Sequence, residues 1–136
     1  TKTGKEMLSW WILANSILGG LGALLAAAHP LTILSAILAA PLTSLNPMIA
    51  AGWVAGLVEA FLRKPRVRDF EDLPQAIASL KGFWGNKVTR ILLVVVFTNL
   101  GSVLGTIVGG TYLMKAMIAW IVQSWGAIST FFQQIV

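Results

Sequence analysis

Cysteine is absent from this 136-residue chain, histidine occurs once and acidic residues number five. Without thiols there can be no disulfide framework, thiolate metal site or cysteine nucleophile. A zinc site of imidazole and carboxylate ligands would have to start from His29 alone, which has no partner for metal or proton chemistry and reads as a solvated turn residue. Proteolysis inside a membrane needs a serine-histidine pair, two aspartates or a histidine cluster among apolar segments, and the sequence holds none of these sets. No catalytic residue, metal or cofactor is assigned.

Charge is also scarce. Charged residues make up 11% of the chain and hydrophobic ones 57%, with a mean hydropathy of +0.80. Soluble domains carry roughly 25% charged residues, so the expected class is an all-α integral membrane protein. The net charge of +5 invites a nucleic-acid reading, but the basic residues flank apolar runs instead of forming a basic face. Anionic lipid headgroups are the expected counter-charge, and no nucleic-acid partner is expected.

The apolar runs predict a bundle of about four transmembrane segments over 8–28, 31–62, 88–113 and 114–136, with a polar basic segment over 63–87. About 20 helical residues cover the roughly 30 Å hydrocarbon core. The first run has Trp10 and Trp11 at one interface and a small-residue face of Gly19, Ala23 and Ala27, and His29-Pro30 ends it.

The second run is broken by Pro41 and by Asn46-Pro47. Asn46 is placed to cap a new helix whose first residue is Pro47. From there Gly52, Gly56 and Ala60 fall four apart, the spacing that lets helix backbones approach closely, and Glu59 stands four residues before Arg63. As one helix, 31–62 would be roughly 48 Å long, and each half only roughly 23 Å. The halves form either one broken crossing or a re-entrant hairpin. Basic residues on both sides of the first two runs favour an even number of crossings, hence the single broken crossing.

Arg63, Lys64, Arg66 and Arg68 open the basic segment and are candidates for headgroup binding; under the positive-inside rule, 63–90 is expected to be cytoplasmic. Within it, Asp72 before Leu73-Pro74 predicts a short amphipathic helix lying on the headgroups, with Phe83 and Trp84 in the aromatic belt. In the third run Gly101, Gly105 and Gly109 recur every four residues, either packing within the chain or forming a homo-oligomer interface, and Asn99 should hydrogen-bond between helices. The last run, 114–136, returns as a helix with a narrow polar stripe through Lys115, Gln123, Gly126, Thr130 and Gln133 or Gln134, able to span or to lie at the interface.

Several of these stretches, in order, carry a family resemblance. Ala39 to Pro47, Gly52 to Ala60, Leu62-Arg63-Lys64-Pro65, Asp69 to Leu73 and Asn86 to Val94 resemble the C-terminal membrane region of the TraB/PrgY pheromone-shutdown family, particularly its archaeal members, from about Trp10 to about Leu113. The resemblance implies a soluble N-terminal domain, absent from this chain, with metal-dependent peptidase-like chemistry on Gly-x-x-His and Glu motifs. None of these can be placed here, since Ala26 stands three residues before His29. A chain that starts at Thr1 fits a domain taken from a longer protein.

Two functions stay open. One is a membrane-anchoring and oligomerisation platform for that domain, held by the bilayer and by other copies. The other is a small-solute or ion transport module in which Asn46, Glu59 and Asn99 line a path through the membrane. The first should pair Glu59 with Arg63 or headgroups; the second should bring the three polar residues to one wet cavity.

Overall fold

The structure, a computed structural model, describes residues 2–46 and 48–135, and every regular element among them is a helix. Helix α1, Lys2–Leu25, ends in a turn where Ala27 takes a left-handed conformation (φ 56°) and the Ala28 amide reaches back to the Ala23 carbonyl at 3.1 Å. Helix α2, Pro30–Thr43, begins with proline at a position that needs no amide hydrogen, and the His29 ring caps it by accepting the Leu31 N–H at 3.2 Å. His29 is therefore a helix cap and not a free turn residue.

Helix α3, Ala51–Arg63, runs back along α2: Thr32, early in α2, touches Glu59, late in α3. The expected single broken crossing is thus a hairpin. Its arms of 14 and 13 residues measure roughly 21 and 20 Å, too short for a core of about 30 Å. Pro41 does not break α2, which continues to Thr43. A proline frees the carbonyl four residues earlier, and here the Ser16 hydroxyl of α1 donates to that carbonyl, Ile37 O, at 2.8 Å. Pro47 lies outside the described residues. The second arm starts at Ala51, with Ala50 as cap, while Asn46 accepts the Met48 N–H at 3.0 Å within the connecting turn.

Helices α4 (Val67–Glu71), α5 (Leu73–Ala76) and α6 (Leu80–Gly85) replace the single amphipathic helix expected after Asp72. Ser79 ends that continuity by capping α6 through the Gly82 N–H at 3.1 Å, and Ile77 and Leu80 are exposed.

Helix α7, Lys87–Ile135, is continuous over 49 residues, so the boundary expected near Leu113 is absent. No proline interrupts it, and Thr111 returns its hydroxyl to the Ile107 and Val108 carbonyls just beyond the Gly109-Gly110 pair. Among the described residues two helices, Gly4–Leu25 and Lys87–Ile135, are by length and composition apolar enough to cross a membrane, fewer than the four spans expected.

α1 and α7 are antiparallel. A Cβ at Gly101 would lie 2.1 Å from Leu18 O, one at Gly105 2.7 Å from Asn15 Cα, and one at Gly109 3.2 Å from Trp11 Cε3. The glycine ridge packs on α1 inside the chain, and at Gly101 and Gly105 only hydrogen fits between the backbones. The hairpin packs on both long helices, through Gly19 and Gly20 on Ala40 and Ile37, and through Gly52 and Gly56 on Val95. Its open foot, where α2 begins and α3 ends, lies with α6 at the Leu25 end of α1, away from the Lys5 end. The basic segment and the N-terminus therefore occupy opposite ends of the bundle, which removes the even-crossing argument.

Candidate functional site

Two polar clusters sit among the apolar helices, one at each end of the hairpin. At the foot, the Glu59 carboxylate is fully buried. Its Oε2 accepts the His29 amide at 2.9 Å and the Thr32 hydroxyl at 2.6 Å, and its Oε1 lies 2.5 Å from Arg63 Nε. Arg63 also donates to the Ala27 carbonyl at 3.3 Å. Trp84 Nε1 donates to the Leu25 carbonyl at 3.0 Å, while the Trp84 carbonyl accepts both Arg90 Nε, at 2.7 Å, and Arg90 Nη2. The α1–α2 turn is thereby fastened by groups from α3 and α6. A buried carboxylate needs a paired charge and hydrogen bonds: Oε2 has two donors, while Oε1 faces the Arg63 charge without a hydrogen bond of its own, so Glu59 acts as a latch between α2 and α3.

At the tip, Asn15 is fully buried at mid-length of α1. Its Nδ2 donates to the Trp11 carbonyl at 3.1 Å; its Oδ1 accepts from Ser44 Oγ at 2.6 Å and Thr106 Oγ1 at 3.2 Å. Ser44 also meets Ser102 at 3.1 Å. One amide thus joins α1, the end of α2 and α7. Next to it, Asn99 of α7 accepts the Gly52 N–H at 2.8 Å, satisfying a first-turn amide that α3 has no side-chain cap for. A cleft of about 320 Å³ opens here, with Thr43, Ser44, Asn46, Asn99, Ser102 and Thr106 as its polar wall.

Asn46 and Asn99 therefore share one cleft, and Glu59 does not. Seven residues of helix, roughly 10 Å, separate Gly52 from Glu59. Gly52 and Gly56 are buried on α7 and Ala60 is half-buried. Of the basic candidates, Arg63 turns inward to Glu59, whereas Lys64, Arg66 and Arg68 are exposed, Arg68 standing 3.8 Å from Asp72. Among the described residues no group of three His, Cys, Asp or Glu side chains could hold a metal ion.

Sequence reasoning missed Asn15, Thr32 and Ser16. Each is a lone hydrogen-bonding residue within an apolar run, and that isolation was the signal available.

A protein-family model described as the TraB family protein, C-terminal domain, matches residues 1–119. An uncharacterized protein of Methanocaldococcus jannaschii is 40% identical over 97 residues, which are 70% of this chain and 24% of that protein. The chain thus spans about a quarter of the length of the curated relative it matches. No solved structure matches it.

Proposed function

The chain belongs to the TraB family, whose C-terminal domain it forms over residues 1–119, and on that premise we propose that it is a membrane-embedded anchor for a longer protein. One observation carries the reading: the packing is inside out relative to a soluble bundle. The core is built from Ala23, Ala26, Ala36, Ala55 and Val94 with the packed glycines, while Leu21, Leu24, Leu100, Leu104, Ile107 and Val108 face outward. Small residues inside and large aliphatic ones outside suit a lipid solvent, where backbones gain by close approach and leucine gains nothing by hiding.

In this reading the foot of the hairpin, with exposed Lys64, Arg66 and Arg68, faces the anionic cytoplasmic leaflet, and the N-terminus lies across the membrane. The fragment itself is non-catalytic, and any peptidase-like chemistry belongs to residues outside it. Self-association through the glycine ridge is not part of the proposal, because α1 occupies that ridge.

The test is fractionation of the expressed chain: it should stay with membranes through alkaline carbonate and leave them only in detergent. Release by carbonate would overturn the reading. A single cysteine at Gln75 should resist an impermeant thiol reagent in intact cells; ready labelling would reverse the orientation.

A second reading is favoured by the cleft that Asn46 and Asn99 share, at a break in the hairpin where half-helix ends meet as in transporters. Its polar wall is uncharged, and the one buried acid is engaged at the other end. The anchor reading expects no ion or solute flux in vesicles containing the chain, and a flux abolished by Asn99→Leu would favour transport.

A further inference from the structure

From Met117 to Ile135 every residue of α7 except Ser124 is exposed. Ile118, Ile121, Trp125, Ile128, Phe132 and Ile135 are all exposed and recur at alternating intervals of three and four, which places them on one face of the helix. Ala119, Gln123, Gly126, Thr130 and Gln133 fall on the opposite face and are exposed as well. No charged residue occurs after Lys115. The family match stops at residue 119, so almost all of this two-faced segment lies beyond it.

Helix length fixes where the segment begins. The Trp10 and Tyr112 rings are 5.4 Å apart, with Lys5, Glu6 and Lys115 about one turn further out, which is the aromatic-and-charged pattern of a membrane boundary. Straight, α7 would measure about 73 Å against a hydrocarbon core of about 30 Å, so roughly 29 residues lie outside the core, a few of them around Arg90 and the rest after Tyr112.

Four surroundings are available to them. In water, six large apolar side chains would stay wet, together with Trp120 and Phe131. In a second crossing, Gln123 and Gln133 would enter hydrocarbon without partners, although Thr130 would keep its bond to the Gly126 carbonyl at 2.9 Å. A coiled coil with another copy would bury the apolar face but lacks the flanking charges that set pairing and keep such coils soluble. Lying flat in the headgroup region satisfies both faces together, with the aromatic residues at their preferred depth. Helix α7 is continuous here, so the geometry needed is a bend at the edge of the bundle, near Tyr112 and the Gly109-Gly110 pair, where a Cβ at Gly110 would meet nothing within 4 Å.

We propose that residues 116–135 form an in-plane helix on the bilayer surface, at the face opposite the basic segment, with Ile118, Ile121, Trp125, Ile128 and Phe132 immersed and Gln123, Thr130 and Gln133 in water. The inference rests on the membrane reading above. It gives this chain a second mode of lipid contact, through the surface of one leaflet.

Because the chain has no cysteine, single cysteines can be spin-labelled in the full chain, reconstituted in phosphatidylcholine vesicles with phosphatidylglycerol. Labels at Ile121 and Ile128 should collide with oxygen, a lipid-soluble reagent, at equal depth; labels at Gln123 and Thr130 should collide with a water-soluble nickel chelate. Oxygen contact at all four sites, with Ile121 and Ile128 differing in depth by roughly 10 Å, means a second crossing and overturns the proposal. Nickel contact at all four means a rod in water and does the same. Ile121 and Ile128 shielded from both reagents, with spin-spin broadening, means a second copy and also overturns it. A label at Leu104 reports separately on the bundle: nickel contact there would defeat the membrane reading itself.

Discussion

Asn99 and Gly52 are 47 residues apart in the chain and 2.8 Å apart in space, the Asn99 Oδ1 accepting the Gly52 amide hydrogen. The second arm of the hairpin starts at Ala51 behind Ala50, which offers no side-chain cap, so α7 supplies the acceptor from outside. The same contact closes one wall of the polar cleft. Its two roles, holding the arm and shaping the cleft, are inseparable in this fold.

Asn99→Leu should lower stability by about 1–3 kcal/mol, the cost of an amide left without a partner away from water. Thermal unfolding in detergent measures the loss, and hydrogen exchange at the Gly52 amide should accelerate more than at Glu59. Equal protection at Gly52 in variant and parent would mean that Asn99 does not cap α3.

Glu59 and Arg63 form the other fixed point. Glu59→Gln leaves the guanidinium facing a neutral group and should cost about 3 kcal/mol, the low end for a broken buried pair because Arg63 keeps 28% side-chain exposure. Arg63→Met should cost a similar amount. The two losses should not add: combined, they should fall short of their sum by about 1–3 kcal/mol. Additive losses in this double-mutant cycle would show that the pair, although 2.5 Å apart, is not coupled.

Thr98 offers the opposite sign. It is fully buried on α7, and its hydroxyl oxygen has no hydrogen-bond partner among the described residues. Thr98→Val replaces that hydroxyl with a methyl of nearly the same volume, so stability should rise by about 1 kcal/mol. A fall in the unfolding midpoint would mean the hydroxyl is satisfied in the folded protein.

How much of this could be read in the sequence depends on the range of the interaction. The helical class, the close-packing interval of Gly101, Gly105 and Gly109, and the one-turn offset of Glu59 and Arg63 are local patterns, and each is visible in a window of a few residues. The hairpin is not local. It depends on Thr32 meeting Glu59 across 27 residues, and charge counting is blind to that contact because it registers only where lysines and arginines accumulate. Pro41 misleads for a related reason: a proline signals a break only while its freed carbonyl stays unpaired, and the partner, Ser16, is 21 residues from Ile37. Asn15 is the largest omission. A single amide in an apolar run looks incidental until Ser44 and Thr106 converge on it.

The glycine ridge gives a contrast within one helix. Interval alone cannot say whether the partner is α1 or another molecule, but the backbone distances can. A Cβ at Gly105 would lie 2.7 Å from Asn15 Cα and 2.9 Å from Ala14 O, and these are main-chain atoms that cannot swing aside, whereas at Gly110 nothing lies within 4 Å. Overpacking of this kind costs typically about 1–3 kcal/mol, with the high end expected when backbone is struck. Gly105→Leu should therefore lower the unfolding temperature sharply and disturb the neighbouring Asn15 network, while Gly110→Leu should leave it nearly unchanged. Size-exclusion chromatography with light scattering supplies the deciding comparison. If Gly105→Leu shifts the oligomer distribution and leaves the unfolding temperature alone, the ridge faces another copy and the α1–α7 contact described here is wrong.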